Sequence, residues 1–272
     1  MLFVCFCNIV FRALAPREMG VLIAFVGCVA SHGCVASLGT TTADLRKLVA
    51  RRLRSGSVRM CTSTTTMVPL RVFAYGDSLT AGTFEMEAPD ALFPFAPHLE
   101  AALKAMVGDA VVVRHRGLPG WTAGAMLQSI DDDVAGLRGS LRRICNPPAS
   151  LAIILAGTND LGCKASVDEI VEALLGLHRA AHTVNVPTLA VGIPPSAYQA
   201  RDTTAAATAA AVNTRLREWC AIEVDATFEP HPVCSYDQAS GWWSSDGLHL
   251  SPEGYRQTGE GLAGVVRSII SP

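Results

Sequence analysis

Four short stretches of this chain hold residues whose types can do chemistry. In the first, Val72, Phe73, Ala74 and Tyr75 read as a short apolar strand that runs straight into Gly76-Asp77-Ser78-Leu79. A strand ending in Gly-Asp-Ser, with Gly82 four residues beyond the serine, predicts a sharp strand-to-helix turn. Such a turn leaves one hydroxyl, that of Ser78, at the carboxyl edge of the sheet, where open α/β sheets bind ligands. The alternative is a capping serine, because Ser and Asp both satisfy free N–H groups at helix starts. The other stretches are Gly117-Leu118-Pro119-Gly120-Trp121-Thr122, Gly157-Thr158-Asn159-Asp160, and Ser245-Asp246-Gly247-Leu248-His249-Leu250. The first two of these each follow a predicted strand, so Ser78, Gly120 and Asn159 can face one spot on a single sheet edge.

The elements that must position them alternate strand and helix from Leu70 onward. The pattern predicts strands over 71–75, 110–113, 151–155 and 188–193, with a weak fifth over 222–224. Between them it predicts helices over 94–107, 122–141, 167–182 and 203–220, and a closing helix over 252–270. Phe95, Leu99, Leu103 and Met106 are expected on the inward face of the first of these helices. Repeated β-α units of this size call for a parallel sheet covered by helices.

Four blocks in this order resemble the SGNH (GDSL) hydrolase family: Gly76-Asp77-Ser78-Leu79, the turn ending at Gly120, Gly157-Thr158-Asn159-Asp160, and Asp246-x-x-His249. The resemblance spans about residues 70–270. It is not the α/β-hydrolase signature, because Gly-x-Ser-x-Gly is absent and Asp246 and His249 are only three apart. The resemblance implies a three-layer α/β/α sandwich with a parallel five-stranded sheet in order 2-1-3-4-5. It also implies hydrolysis of a carboxylic ester through an acyl-serine intermediate, with no metal or cofactor. Ser78 would be the nucleophile, His249 the base, and Asp246 the group that orients and stabilises the imidazolium. The Ser78 N–H, the Gly120 N–H and the Asn159 amide would form the oxyanion hole; Gly117 stays open as an alternative donor. Acyl transfer is the alternative within the same chemistry, and a non-catalytic binding module on this fold is the alternative of another class.

Trp121, Trp242 and Trp243 are candidates for walls of an acyl pocket or for core. Phe84, Met86 and Phe93 follow the nucleophile turn and are candidates to cover the site. His178 and His182 are four apart on a predicted helix, yet no third metal ligand is evident. His115 and His231 read as ordinary polar positions, and Asp131-Asp132-Asp133 as a solvated helix face. Asp160 reads as a brace for the Asn159 loop.

Composition narrows the class. Half of the 272 residues are apolar and 17% are charged, which excludes a disordered chain. Residues 1–69 hold eight of the 22 Lys/Arg and two of the 24 Asp/Glu. That leaves 14 basic and 22 acidic residues for 70–272, an acidic domain that argues against nucleic acid as a partner. The partner expected is a small-molecule acyl ester. The first 69 residues read as a targeting leader, signal-like over 21–30 and then transit-like over 40–67, and the domain follows over 70–272. Such a two-part leader predicts a plastid destination, with secretion or mitochondria as alternatives. No uninterrupted run of about twenty apolar residues predicts a membrane span. Of nine cysteines, Cys145, Cys163, Cys220 and Cys234 lie in the domain and are expected as buried free thiols.

Overall fold

Strands β1 (Leu70–Gly76), β2 (Val111–Gly117), β3 (Leu151–Leu155), β4 (Thr188–Val191) and β5 (Ala226–Glu229) pair in parallel in the order β2-β1-β3-β4-β5. The computed structural model describes residues 69–84, 91–144 and 148–270. The expected leader, all but Pro69, lies outside the described residues, as do Met86 and Cys145.

The sheet is apolar on both faces, as parallel sheets between helix layers are. Phe73, Tyr75, Ala152 and Ile154 face one core, which is closed by α3 (Ala123–Gln128), α4 (Leu137–Ile144), α6 (Val167–His182) and α8 (Thr203–Cys220). Val72, Ala74, Ile153 and Leu155 face the other, closed by α2 (Ala96–Val107) and α9 (Pro252–Ile270). Short helices α1 (Ser78–Ala81), α5 (Thr158–Gly162) and α7 (Ala197–Arg201) follow β1, β3 and β4 at the carboxyl edge. The expected three-layer α/β/α architecture and strand order are those observed.

Local signals explain where several helices begin. Ser166 and Glu169 form a reciprocal capping box at the start of α6. Asp202 accepts from Thr204 and Ala205 at the start of α8. The expected bounds of α6, α8 and α9 match to the residue.

Five expectations are corrected. The helix expected over 122–141 is two helices, α3 and α4. Between them, Asp132 Oδ1 accepts from the N–H groups of Val134 and Ala135, at 2.8 and 2.7 Å, an arrangement that competes with helix. The same turn offers the Ala135 carbonyl to the Tyr75 hydroxyl at 2.9 Å, giving a deeply buried phenol its acceptor. The Asp131–Asp133 run therefore lies in a turn and not on a helix face, with Asp131 paired to Arg138. The fifth strand is Ala226–Glu229; Ile222 and Val224 are 84% and 94% exposed where the chain leaves α8. Met106 is 48% exposed because the inward face of α2 steps from Leu99 to Leu103 to Val107. Of the domain cysteines described, only Cys220 is buried; Cys163 and Cys234 are exposed free thiols.

Candidate active site

The nucleophile turn is built by backbone that has no room for side chains. β1 ends at Gly76, and Asp77 caps α1 by accepting from Leu79 N–H at 2.9 Å. Beside α1 runs the end of β2, where a Cβ on Gly117 would sit 2.0 Å from Ala81 N. That close approach, which only glycine permits, sets the β2 strand end against the helix carrying Ser78.

Leu118 to Trp121 then form a tight turn. Trp121 N–H donates to Leu118 O at 3.1 Å, and Leu118 N–H donates to Gly76 O at 2.8 Å. Pro119 and Gly120 occupy its centre, and Gly120 has φ +79°, the left-handed value that a Pro-Gly turn of this kind requires. Thr122 follows as the cap of α3, its hydroxyl accepting from Ala125 N–H.

The Asn159-Asp160 pair at the start of α5 grips this segment from the β3 side. Asn159 Nδ2 donates to Trp121 O at 2.9 Å. Asp160 Oδ2 accepts from Ala123 N–H at 2.9 Å. The expectation that Asp160 braces the loop fits this contact.

The last stretch forms one closed loop. Asp246 Oδ1 accepts from the N–H groups of Leu248 and His249, at 2.8 and 2.9 Å, and from the Ser244 hydroxyl at 2.8 Å. Its Oδ2 lies 2.7 Å from His249 Nδ1. His249 Nε2 lies 2.9 Å from Ser78 Oγ, joining residues 171 positions apart. Ser244 N–H donates back to His249 O, and an antiparallel bridge between Trp243 and Leu250 shuts the loop. Immediately after it, Tyr255 on α9 donates to Thr83 O at 2.5 Å, tying that helix to the segment beyond α1.

The electrostatics divide the carboxylates. Burial works to raise the Asp246 pKa, but hydrogen bonds from the His249 ring and backbone, Leu248 and Ser244 outweigh it and hold the group below the usual carboxylate range. Asp77, fully buried, is pushed up to about 7 by desolvation. Leu79 N–H pulls the other way, and the nearby charge of Asp160 adds to the rise. Burial also raises Asp160, against backbone N–H groups from Ala123, its own residue and Gly124.

The other candidates sort by burial. Trp243 is 4% exposed, with its ring edge-on to Tyr236 in the core, so it packs and does not wall a pocket. Trp242 packs half-buried against the same cluster, and Trp121 against the opposite one. Phe84 and Phe93 meet edge to face with centroids 5.8 Å apart. His231, expected as an ordinary polar position, is buried at 4% exposed, with Nδ1 accepting from Val233 N–H. His178 and His182 both lie against Trp219, and no group of three or more His, Cys, Asp or Glu among the described residues is placed to hold a metal. No helix of the described residues is long and apolar enough to cross a membrane. Ser244, which the motif reading passed over, carries its own signal: a serine two residues before the aspartate that it bonds.

Comparison with known proteins identifies the fold and the family. No curated protein matches the sequence significantly. Among solved structures, a carbohydrate acetylesterase from Sinorhizobium meliloti superimposes with a TM-score of 0.55 at 21% identity, over 74% of this chain and 99% of that one. A lipase/acylhydrolase from Enterococcus faecalis gives 0.54 at 20% identity, over 74% and 95%. An inhibitor-bound aryl esterase from M. smegmatis gives 0.53 at 22% identity, over 74% and 99%. At these identities the likeness is one of fold. The sequence itself matches the GDSL-like lipase/acylhydrolase family over residues 74–257, about two thirds of the chain, so the protein belongs to that family and is a carboxylic ester hydrolase.

Proposed function

We propose that the ester is cleaved in two steps through an acyl-enzyme on Ser78. The observation that carries this reading is the line from Asp246 Oδ2 to His249 Nδ1 at 2.7 Å and from His249 Nε2 to Ser78 Oγ at 2.9 Å. A serine hydroxyl is a weak nucleophile until a base takes its proton during attack. His249 takes that proton while Asp246 holds the other ring nitrogen and stabilises the imidazolium. The carbonyl oxygen becomes negative as Ser78 Oγ bonds to the carbon. Ser78 N–H, Gly120 N–H and the Asn159 side-chain amide receive it. Collapse breaks the carbon–oxygen bond to the alcohol, which leaves with the proton from His249. Water then attacks the acyl-serine by the same route and releases the acid.

The Asn159 amide has two N–H groups and spends one on Trp121 O, which leaves the second for the oxyanion. The Pro119-Gly120 turn is held to Gly76 O through Leu118, close to the nucleophile.

The test is covalent labelling. A phosphonylating reagent should inactivate the enzyme and add its mass to the peptide carrying Ser78. Ser78→Ala should abolish both labelling and the cleavage of a short-chain aryl ester, with thermal unfolding preserved. Undiminished hydrolysis by that variant would falsify the acyl-serine reading. An added alcohol that captures the acyl group in preference to water would place acyl transfer alongside hydrolysis.

A further inference from the structure

Asn159 and Asp160 are adjacent in sequence, and both reach across to a stretch nearly forty residues away. The amide of one holds the Trp121 carbonyl and the carboxylate of the other holds the Ala123 N–H, each at 2.9 Å. The three-residue backbone Trp121–Ala123 is thus gripped at both ends. Gly120, the proposed second oxyanion donor, is attached directly to this gripped piece. Asp160 is 4% exposed, its carboxylate bonded to the Ala123 N–H, with the N–H groups of Gly124 and its own residue also turned toward it. A buried carboxylate with such partners is a rigid anchor, since charge-assisted hydrogen bonds are short and directional.

We propose that Asp160 is a positioning residue of the oxyanion hole, setting the Gly120 turn and the Asn159 amide in one frame. It touches no reacting atom. It acts through Ala123 N–H, which fixes where α3 begins and thereby where the Trp121 carbonyl meets Asn159. Without it, the turn that carries Gly120 keeps the Asn159 bond and the Leu118 bond to Gly76 O but loses its anchor on the α3 side, so its far end can shift. A displacement of about 1 Å in such a hole costs on the order of 100-fold in rate. The proposal rests on the acyl-serine reading given above.

The experiment compares Asp160→Ala and Asp160→Asn, each alone and combined with Asn159→Ala, using a soluble aryl ester. Ser78→Ala serves as control. Asp160→Ala should lower kcat roughly 10- to 100-fold with KM within about threefold, because the ground-state carbonyl needs little from the hole. Asp160→Asn retains one acceptor oxygen without the charge and should lose only about 3- to 10-fold, charged hydrogen bonds being roughly twice as strong as neutral ones. In the Asn159→Ala background either loss should shrink to less than about twofold, since groups acting as a unit do not add. A normal kcat with only a lowered Tm, or losses that add fully to that of Asn159→Ala, would overturn the assignment. Should Asp160→Ala fail to fold, the isosteric Asp160→Asn in the two backgrounds decides the matter, and an equal loss in both, or none in either, refutes it. An active Ser78→Ala control would instead indict the acyl-serine reading.

Discussion

Asp77 stands next to the nucleophile and has no contact with solvent. One of its oxygens caps α1 through Leu79 N–H; the other accepts no direct hydrogen bond among the described residues. Desolvation first, and then the Asp160 charge, raise its pKa to about 7 from an ordinary value near 3.8. Between those limits the folded protein keeps a proton that the unfolded chain has released. Stability attributable to Asp77 is therefore present at acid pH and is lost as pH rises through about 7, by at most about 4 kcal/mol. Asp77→Asn preserves the capping oxygen and removes the titration. Its Tm relative to wild type should climb between pH 4.5 and pH 8, as followed by thermal unfolding; parallel curves would show that Asp77 is already ionised at neutral pH. The motif placed Asp77 beside the serine, but what its second oxygen faces depends on what closes over it. Thr158, whose N–H and hydroxyl face the carboxyl, comes from another strand end.

At the scale of elements, two glycines in one loop do different work. Gly117 abuts α1, and a methyl group there must displace the Ala81 backbone. Gly117→Ala should cost about 1–3 kcal/mol in stability and reduce kcat by shifting Ser78. Gly120 faces open space, so Gly120→Ala meets only the left-handed strain, about 1–2 kcal/mol. Its folded core should stay intact, with a smaller loss of kcat than Gly117→Ala. Kinetics and thermal unfolding of the pair check this order, and a more damaged Gly120→Ala would reverse the roles. Both residues stood out in the sequence as candidate donors, and their division of labour did not. Spacing locates a glycine, whereas the atom that would meet its Cβ belongs to a helix more than thirty residues earlier. The same limit explains the split of α3 from α4: continuous periodicity hid a break whose turn feeds a carbonyl to Tyr75 on β1.

For the molecule as a whole, acid stability turns on two buried histidines. Desolvation lowers His178 to about 3 and His231 to about 4, so the folded state keeps both neutral. Unfolded histidines take up protons below about 6.5. Stability is consequently lost as pH falls from about 6.5 toward 3, in the direction opposite to the Asp77 effect. His178 packs against Trp219, and its Nδ1 has no hydrogen-bond partner among the described residues, so an apolar ring of similar size suits the site. His178→Phe should flatten the acid limb of a Tm-versus-pH curve while leaving the alkaline side unchanged. An unaltered acid limb would assign the loss to other groups.

The sequence by itself determined the alternation of strands and helices, the strand that delivers Ser78, the Gly120 and Asn159 turns, and an Asp and His three apart. These are local matters. Apolar period, capping residues and glycine-punctuated turns are written within a few positions, and Asp246 can reach His249 without help from the rest of the chain. Only the tertiary structure decided that Trp243 packs in the core, that Ser244 supports Asp246, that Tyr75 requires a turn inside an apparently continuous helix, and that Asp160 anchors the segment next to Gly120. Each of these depends on which buried polar group or packed ring finds a partner elsewhere in the fold. Burial makes an unmet hydrogen bond costly wherever it falls, and its partner need not be near in sequence.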